Sequence, residues 1–361
     1  MTALRIYAGP KARQHIERHG LNAGDIGVVP GAAGGPKGLV LGPLDRFIFG
    51  EWLVASNHPV HLVGASIGAW RMATACLDDP RSAFERLERD YISQDFEQPG
   101  RRSPTAQHVS DRFGESLKAF YGGRVAGILA HSRYRLHILT SRGRHLLGRD
   151  NRWRTPLGYL GAFVTNTVHR RAMGAWLERV VFSSPSEGAT TALPFATGDY
   201  RTRQVPLNEA NFNAALQASC SIPFALKAIH DIPGAPPGAY WDGGITDYHL
   251  HLDYSAGEGR GLVLYPHFQK SIVPGWLDKS LRWRHGATRF LDNTVVLAPD
   301  PQWVRSLPGA KLPDRSDFTR FGTDLKARMR AWNAAASASR QLADDFHAWL
   351  ARPDLRRVEA L

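Results

Sequence analysis

The stretch Gly64-Ala65-Ser66-Ile67-Gly68 lies between the apolar run His61-Leu62-Val63 and a segment of helix-forming composition, Ala69 to Leu77. The run predicts a buried strand, and the segment after it predicts a helix. A serine between two glycines at a strand-to-helix turn is typical of a nucleophile elbow, where the sharp turn leaves almost no room for flanking side chains. The hydroxyl then lies at a helix N-terminus, where free N–H groups favour developing negative charge. Ser66 is therefore a candidate nucleophile, and Gly64 and Gly68 are the glycines of its turn.

A glycine-rich loop precedes this turn by about thirty residues along the chain. Ile26 to Val29 predicts a strand, and Pro30-Gly31-Ala32-Ala33-Gly34-Gly35-Pro36-Lys37-Gly38 leads from it into the apolar run Leu39-Val40-Leu41. A strand followed by a glycine loop and the start of a helix exposes backbone N–H groups to an anion. That anion is either a nucleotide phosphate or the oxyanion of an acyl-transfer intermediate.

The order of residues in this loop argues against a nucleotide site. A P-loop ends in Gly-Lys-Ser/Thr, whereas here Lys37 comes before Gly38 and Leu39 follows. A dinucleotide fingerprint needs glycine where Ala33 stands and an acidic residue at the end of the next strand, which instead leads to Ser66. We therefore interpret the loop as an oxyanion loop, with a purely structural turn as the alternative.

A third motif, Trp241-Asp242-Gly243-Gly244, supplies a candidate base. Asp-Gly-Gly is a common turn, and alone it is weak evidence. A carboxylate that acts directly on a serine hydroxyl must approach it closely, and glycines after the acid keep that approach open. Between the two motifs, residues 214–224 predict a helix of small residues that ends at Pro223, which we interpret as support packed beneath the site.

Together these residues resemble the patatin-like phospholipase family. That family has, in this order, a glycine-rich oxyanion loop with Arg or Lys, a G-x-S-x-G elbow, an Ala-Ser-x-x-x-Pro-like helix and Asp-Gly-Gly or Asp-Gly-Ala. All four occur here between about residues 25 and 250. One departure is Ala33, which stands where the family loop usually begins with glycine.

The resemblance implies an α/β fold, a three-layer sandwich with a mostly parallel central sheet and helices on both faces. It also implies a Ser–Asp dyad without histidine, in which Ser66 is the nucleophile and Asp242 its general base. The N–H groups of Gly34 and Gly35 would form the oxyanion hole, Lys37 would take the basic position of the loop, and Gly38 would close it. Gly243 and Gly244 complete the Asp-Gly-Gly motif, and no metal or organic cofactor is implied.

The sequence is also compatible with two other kinds of site. An α/β-hydrolase triad would use Ser66 and Asp242 with His267, or with His249, His251 or His285. The single strand–helix–strand unit between loop and elbow favours the dyad instead. The two histidines between Tyr248 and Asp253 suggest a metal site. The alternation of residue types in this segment instead predicts a strand or edge loop, and no second His or Cys cluster stands at ligand spacing.

Composition predicts a cytoplasmic enzyme. No apolar run reaches about 18 residues, and the N-terminal segment lacks a signal-peptide core. Cys76 and Cys220 lie within apparent helices, which predicts buried thiols in a reducing compartment.

The formal net charge is +12, and residues 101–155 carry twelve Arg or Lys against three acidic residues. Such a surface attracts nucleic acid or anionic membrane. No nucleic-acid motif is present, so we expect either a membrane-docking face or a plain solvated surface. Just beyond this stretch, Leu160, Phe163, Val164 and Trp176 either line an acyl pocket or pack in the core, and core packing is expected for most of them.

Residues 1–300 are predicted to form the patatin-like domain, and residues 301–361 a C-terminal helical extension packed on it. Residues 301–321 look irregular, and a single long helix is expected from Leu325 to Leu350. The predicted function is hydrolysis of a lipid or phospholipid ester, with possible peripheral membrane contact and no nucleic-acid partner. The alternative is a lipid-binding or acyltransferase protein on the same fold.

Overall fold

The computed structural model describes residues 2–101, 103–186, 189–255 and 261–361. Arg102, part of the basic stretch, lies outside the described residues. The strands are β1 Leu4–Ala8, β2 Ile26–Gly31, β3 Val60–Ala65, β4 Tyr134–Gly143, β5 Leu177–Ser183, β6 Pro185–Ser186, β7 Ala189–Thr190, β8 Thr202–Pro206, β9 Ile229–His230, β10 Ala239–Asp242, β11 Leu262–Pro266, β12 Thr294–Pro299 and β13 Val358–Ala360. The helices are α1 Pro10–His19, α2 Gly42–Phe47, α3 Ile67–Ala75, α4 Pro80–Ile92, α5 Ala106–Tyr121, α6 Val125–Leu129, α7 Arg154–Val168, α8 Phe212–Ser219, α9 Pro301–Ser306, α10 Ser316–Phe321, α11 Leu325–Ala338 and α12 Arg340–Ala351.

One large sheet organises the molecule. Its main path runs β13-β1-β12-β11-β2-β3-β4-β10-β9, and β5 and β8 branch from β4. The strands from β12 to β4 are parallel to their neighbours, whereas β1 is antiparallel to β12 and β5 to β4. Strands β2, β5, β11 and β12 are buried along their whole length, as expected of strands covered on both faces. The predicted α/β sandwich with a mostly parallel sheet is confirmed.

The pairing of β4 sets the position of the site. Strand β3 runs parallel to the first half of β4, and its last residue, Ala65, pairs with Leu139. Strand β10 runs antiparallel along the second half, and its last residue, Asp242, pairs with Thr140. Because β5 occupies the other edge of β4, strands β3 and β10 share one edge and meet end to end. The chain segments that follow both strands therefore emerge at the same point.

The C-terminal segment differs from the sequence prediction in three respects. Residues 301–321, expected to be irregular, contain α9 and α10. The prediction of a single long helix is wrong, because the chain forms two helices, α11 and α12, with a break at Ser339. Strand β13 adds to β1 in parallel and so extends the main sheet. The division of the chain near residue 300 stays a prediction.

Among the described residues, no helix is both long enough and apolar enough to cross a bilayer.

Candidate active site

Ser66 lies at the turn between β3 and α3, as the sequence predicts. Its backbone has φ 56° and ψ −130°, a conformation that is rare and strained for a residue with a side chain. The Ser66 N–H donates to Ser219 Oγ at 3.0 Å, and Ser219 Oγ in turn donates to the Leu139 carbonyl at 2.7 Å. Helix α8 therefore holds the turn through a hydrogen bond. The small residues of this helix predict only a packing role, and no local pattern marks the hydrogen bond of Ser219.

The glycines of the turn are required by close backbone contact. A Cβ on Gly68 would lie 1.7 Å from the Gly31 carbonyl oxygen, and one on Gly64 would lie 2.3 Å from Ala69 Cα. Both contacts are far inside van der Waals distance. Residues 64–69 thus pack directly on the end of β2, where the glycine-rich loop begins.

Asp242 and Ser66 are joined by a hydrogen bond. The Ser66 hydroxyl donates to Asp242 Oδ2 at 2.7 Å, and the Gly244 N–H donates to Asp242 Oδ1 at 2.7 Å. Ser66 is 4 % exposed and Asp242 5 % exposed. Burial raises the pKa of Asp242, although Arg315 and the Ser66 hydroxyl act in the opposite direction. A buried carboxylate with a raised pKa is a stronger base toward a hydroxyl than an exposed one.

The glycine-rich loop lies against both partners. The Ala33 N–H donates to the Tyr248 carbonyl at 2.9 Å, and Gly244 packs so closely on Ala33 that a Cβ there would lie 2.6 Å from the Ala33 Cβ. Gly38 packs on Ile67, the residue after Ser66. Within the described residues, neither the Gly34 nor the Gly35 N–H donates a hydrogen bond to a backbone carbonyl. These two donors are free for a ligand, which fits their predicted place in an oxyanion hole.

Three cations surround the pair. Lys37 Nζ lies 5.1 Å from the centroid of the Phe268 ring, which packs on Gly34. Lys279 Nζ lies 4.1 Å from the centroid of the Tyr248 ring. Arg315 Nε lies 3.3 Å from the position that a Cβ would occupy on Gly35. In the described part of the chain, no carboxylate oxygen is within 4.0 Å of any of these three cations.

Lys279 and Arg315 were missed by the sequence analysis. They follow the last motif by more than thirty residues, and no local pattern marks either one. Burial of the Lys279 ammonium over Tyr248, followed by repulsion from Arg315 and Lys37, lowers the pKa of Lys279 to about 8. Burial likewise lowers the pKa of Lys37. Arg315 and Lys37 are therefore both near enough to Lys279 to repel its ammonium group.

The candidate histidines of a triad do not contact the pair. His267 Nδ1 bonds the Gln269 carbonyl, His249 Nδ1 lies between Ser271 and Val273, His251 bonds Thr288, and His285 bonds the Asp278 carbonyl. None of the four, all within the described residues, lies within hydrogen-bond distance of Ser66 or Asp242. The hydroxyl bonds the carboxylate directly, so the geometry fits a dyad and not a triad.

The segment Tyr248 to Asp253 is a loop that contains an isolated β-bridge between Asp253 and Ala196. Across residues 2–101, 103–186, 189–255 and 261–361, no three His, Cys, Asp or Glu side chains are grouped so as to hold a metal ion. Cys76 and Cys220 are free and buried, each directly after a helix.

The sheet thus brings an elbow serine and an aspartate into hydrogen-bond contact beside a glycine-rich loop, an arrangement that fits the dyad expected from the sequence. The model of the patatin-like phospholipase family matches residues 34–249, more than half of the chain. The chain belongs to this family, whose members act on lipid substrates. No curated protein matches the chain.

Proposed function

We propose that this protein hydrolyses carboxylic esters of lipids through a Ser66–Asp242 dyad. The observation that carries the proposal is the 2.7 Å hydrogen bond from the Ser66 hydroxyl to a buried Asp242. Membership of the patatin-like family supports a lipid substrate.

The proposed reaction has two halves. Ser66 Oγ attacks the ester carbonyl while its proton passes to Asp242 Oδ2, and the N–H groups of Gly34 and Gly35 stabilise the oxyanion. The C–O bond to the alcohol then breaks, and Asp242 returns the proton to the departing alkoxide. Water attacks the acyl-enzyme and loses a proton to Asp242. The bond from the acyl carbon to Ser66 Oγ then breaks, and Asp242 returns the proton to Ser66 Oγ as the fatty acid is released.

Fatty-acid release in ¹⁸O-labelled water tests this proposal and separates it from acyl transfer. We expect one labelled oxygen in each fatty acid released from a phospholipid by wild type, and no release by Ser66→Ala. Acyl groups found only on an added alcohol would make the protein an acyltransferase. If wild type breaks no ester while the folded protein still binds lipid, the lipid-binding alternative replaces the proposal.

The cations Lys37, Lys279 and Arg315 favour a substrate with an anionic headgroup. All three lie beside the elements that hold the reacting ester, and none forms a salt bridge shorter than 4.0 Å with a carboxylate of the described residues. Cations that lie in a partly buried site have lost part of their hydration shell. An anionic ligand compensates for this loss by forming charge-assisted hydrogen bonds with them. We therefore propose a phospholipid, not an uncharged glyceride, as the preferred substrate.

Lys279→Met should reduce this preference by about 3- to 10-fold, the range expected for one charge-assisted contact. The measurement is the ratio of kcat/KM for phosphatidylglycerol to that for diacylglycerol with the same acyl chains, both in neutral detergent micelles. Arg18→Gln is the matched control, because Arg18 is exposed at the end of α1, which packs on the distant strands β1, β12 and β13.

The ratio of kcat/KM for phosphatidylglycerol to that for diacylglycerol should also fall between pH 7 and pH 9. Lys279 is protonated below its pKa of about 8 and loses its charge above it, so one of the three cations disappears. Arg315 and Lys37 repel the protonated form, Asp242 stabilises it, and the Tyr248 phenol beneath it has a pKa of about 12 and stays neutral. Lys279→Arg should abolish the fall. A ratio unchanged both by Lys279→Met and by pH would contradict headgroup recognition by this cluster.

The cytoplasm, with peripheral contact to membranes, remains the proposed location. Two free, buried cysteines are consistent with a reducing compartment.

A further inference from the structure

The exposed apolar surface is concentrated on one helix. Of the ten large hydrophobic side chains that are exposed among the described residues, five belong to α7 or immediately precede it. Three more lie on segments that pack against this helix: Leu146, Phe224 and Trp283. We call the five the α7 face: Trp153, Leu157, Leu160, Val164 and Val168. The expectation of core packing is wrong for Leu160 and Val164, which are 59 % and 53 % exposed.

The α7 face is one continuous side of the helix. Its members are separated by four, three, four and four residues, a spacing that returns to the same side of an α-helix at every turn. The buried residues of α7 occupy the opposite side: Thr155, Gly158, Tyr159, Ala162 and Asn166. The helix therefore turns small and polar residues inward and large apolar residues toward solvent, the reverse of an ordinary surface helix.

This orientation is held by a buried polar network and cannot be reversed by rotating the helix. Asn166 Nδ2 donates to Asp278 Oδ1 at 2.8 Å, and Asp278 also accepts from Arg170 at 3.2 Å and Arg284 at 2.9 Å. Asp278 is fully buried. Because turning α7 inward would take Asn166 away from this buried carboxylate, the apolar side stays outward.

Charge around the α7 face is positive. Residues 151–177 contain four arginines and no aspartate or glutamate. Arg152 lies over the Trp153 ring, 5.4 Å from its centroid, and Arg154 and Arg282 are exposed beside Trp153 and Trp283. Within the part of the chain that the structure describes, no carboxylate lies within 4.0 Å of Arg152, Arg154 or Arg282.

An anionic lipid surface fits this combination better than a second copy of the chain. Helices that lie in a membrane interface present aliphatic and Trp side chains to the acyl region and arginines to the headgroups. A second copy would bring two cationic rims together without acidic partners. Three arginines of the basic stretch are not part of this face, because Arg133, Arg135 and Arg142 donate to backbone carbonyls elsewhere.

The α7 face is connected to the proposed dyad by a short chain of aromatic contacts. The exposed Phe224 packs edge-on against Tyr159, with ring centroids 5.9 Å apart. Tyr159, on the buried side of α7, packs against Trp241 at 6.0 Å. Trp241 directly precedes Asp242. The buried side of α7 therefore contacts the residue that precedes Asp242.

We propose that the α7 face docks the protein on anionic lipid bilayers, with Trp153, Leu157, Leu160, Val164 and Val168 entering the interface. The role of this docking rests on the proposed function, because docking brings a lipid ester to Ser66. The binding itself requires no turnover. Vesicle binding can therefore be measured on Ser66→Ala, which should hydrolyse no ester. A failure of this variant to bind vesicles would count against docking alone and not against the proposed hydrolysis.

Sedimentation with vesicles tests the proposal. Ser66→Ala should bind vesicles containing phosphatidylglycerol more tightly than vesicles of phosphatidylcholine alone, and added salt should weaken the binding. The further substitutions Leu157→Ser and Leu160→Ser together should lower the partition coefficient about tenfold or more, since each removes an aliphatic side chain from the interface.

Val54→Ser is the matched control. Val54 is 57 % exposed, similar to Leu157 and Leu160, but it precedes β3 and so lies at the end of that strand opposite Ser66. This control should bind vesicles as Ser66→Ala does. Equal loss in both variants, or full binding after the α7 substitutions, would overturn the proposal. A dimer of Ser66→Ala that the α7 substitutions convert to monomer, without vesicle binding, would assign the face to self-association instead.

Discussion

Asp242→Asn should lower kcat for ester hydrolysis roughly 10²- to 10⁴-fold, the range expected when a general base is removed. The amide has the shape of the carboxylate, so Oδ1 can still accept the Gly244 N–H at the observed position. It cannot take the Ser66 proton. Initial rates with a soluble short-chain ester measure the effect, and Asp111→Asn, which changes an exposed carboxylate of α5, is the control.

Stability should not decrease in this variant. Burial raises the pKa of Asp242 above the 3.8 of an ordinary aspartate, so the free energy of unfolding falls as pH rises from 3.8 through the raised pKa. At neutral pH the ionised carboxylate is therefore destabilising, and the amide removes that cost. We expect a Tm equal to or above that of wild type. Hydrolysis at the wild-type rate would contradict the dyad and reopen the triad.

Gly68→Ala should destabilise the protein by about 3 kcal/mol or more and abolish activity. The added methyl group would lie 1.7 Å from the Gly31 carbonyl oxygen and 2.7 Å from that of Ala32. Both are backbone atoms that cannot move aside as a flexible side chain does, so β2 and α3 must separate. Because Gly31 and Ala32 lead into the glycine-rich loop, the same shift displaces the proposed oxyanion donors.

Gly127→Ala is the control, because it makes the same change of residue type at a position where the added methyl group meets no packed atoms. Gly127 lies in α6, and a Cβ there would meet no atom within 4 Å. Alanine has the higher helix propensity, so this variant should gain about 0.5–1 kcal/mol. Chemical unfolding measures both variants. Similar stability for Gly68→Ala and wild type would show that the elbow does not pack against β2 as described.

The sequence was most informative where covalent geometry leaves few choices. A serine between glycines after a buried run predicts an elbow, because few other structures require that pattern, and the structure has β3 and α3 on either side of Ser66. The contact between Ser66 and Asp242 depends on β3 and β10 sharing one edge of β4. No local pattern encodes that pairing. It was accessible only through resemblance to a family.

Features built from distant residues were not predictable. Lys279 and Arg315 reach the site from segments after β11 and β12, and a single cation in a loop looks like any solvated charge. Leu160 and Val164 were expected in the core because large aliphatic side chains are usually buried. Here the buried side is fixed by Asn166 and Asp278, a polar pair separated by more than a hundred residues.

Labelling with a fluorophosphonate, followed by location of the modified peptide by mass spectrometry, shows directly whether Ser66 is an activated nucleophile. We expect stoichiometric modification of Ser66 in wild type, none in Ser66→Ala, and much slower modification in Asp242→Asn. Labelling of wild type at another serine, or no labelling of the folded protein, would show that Ser66 is not an activated nucleophile.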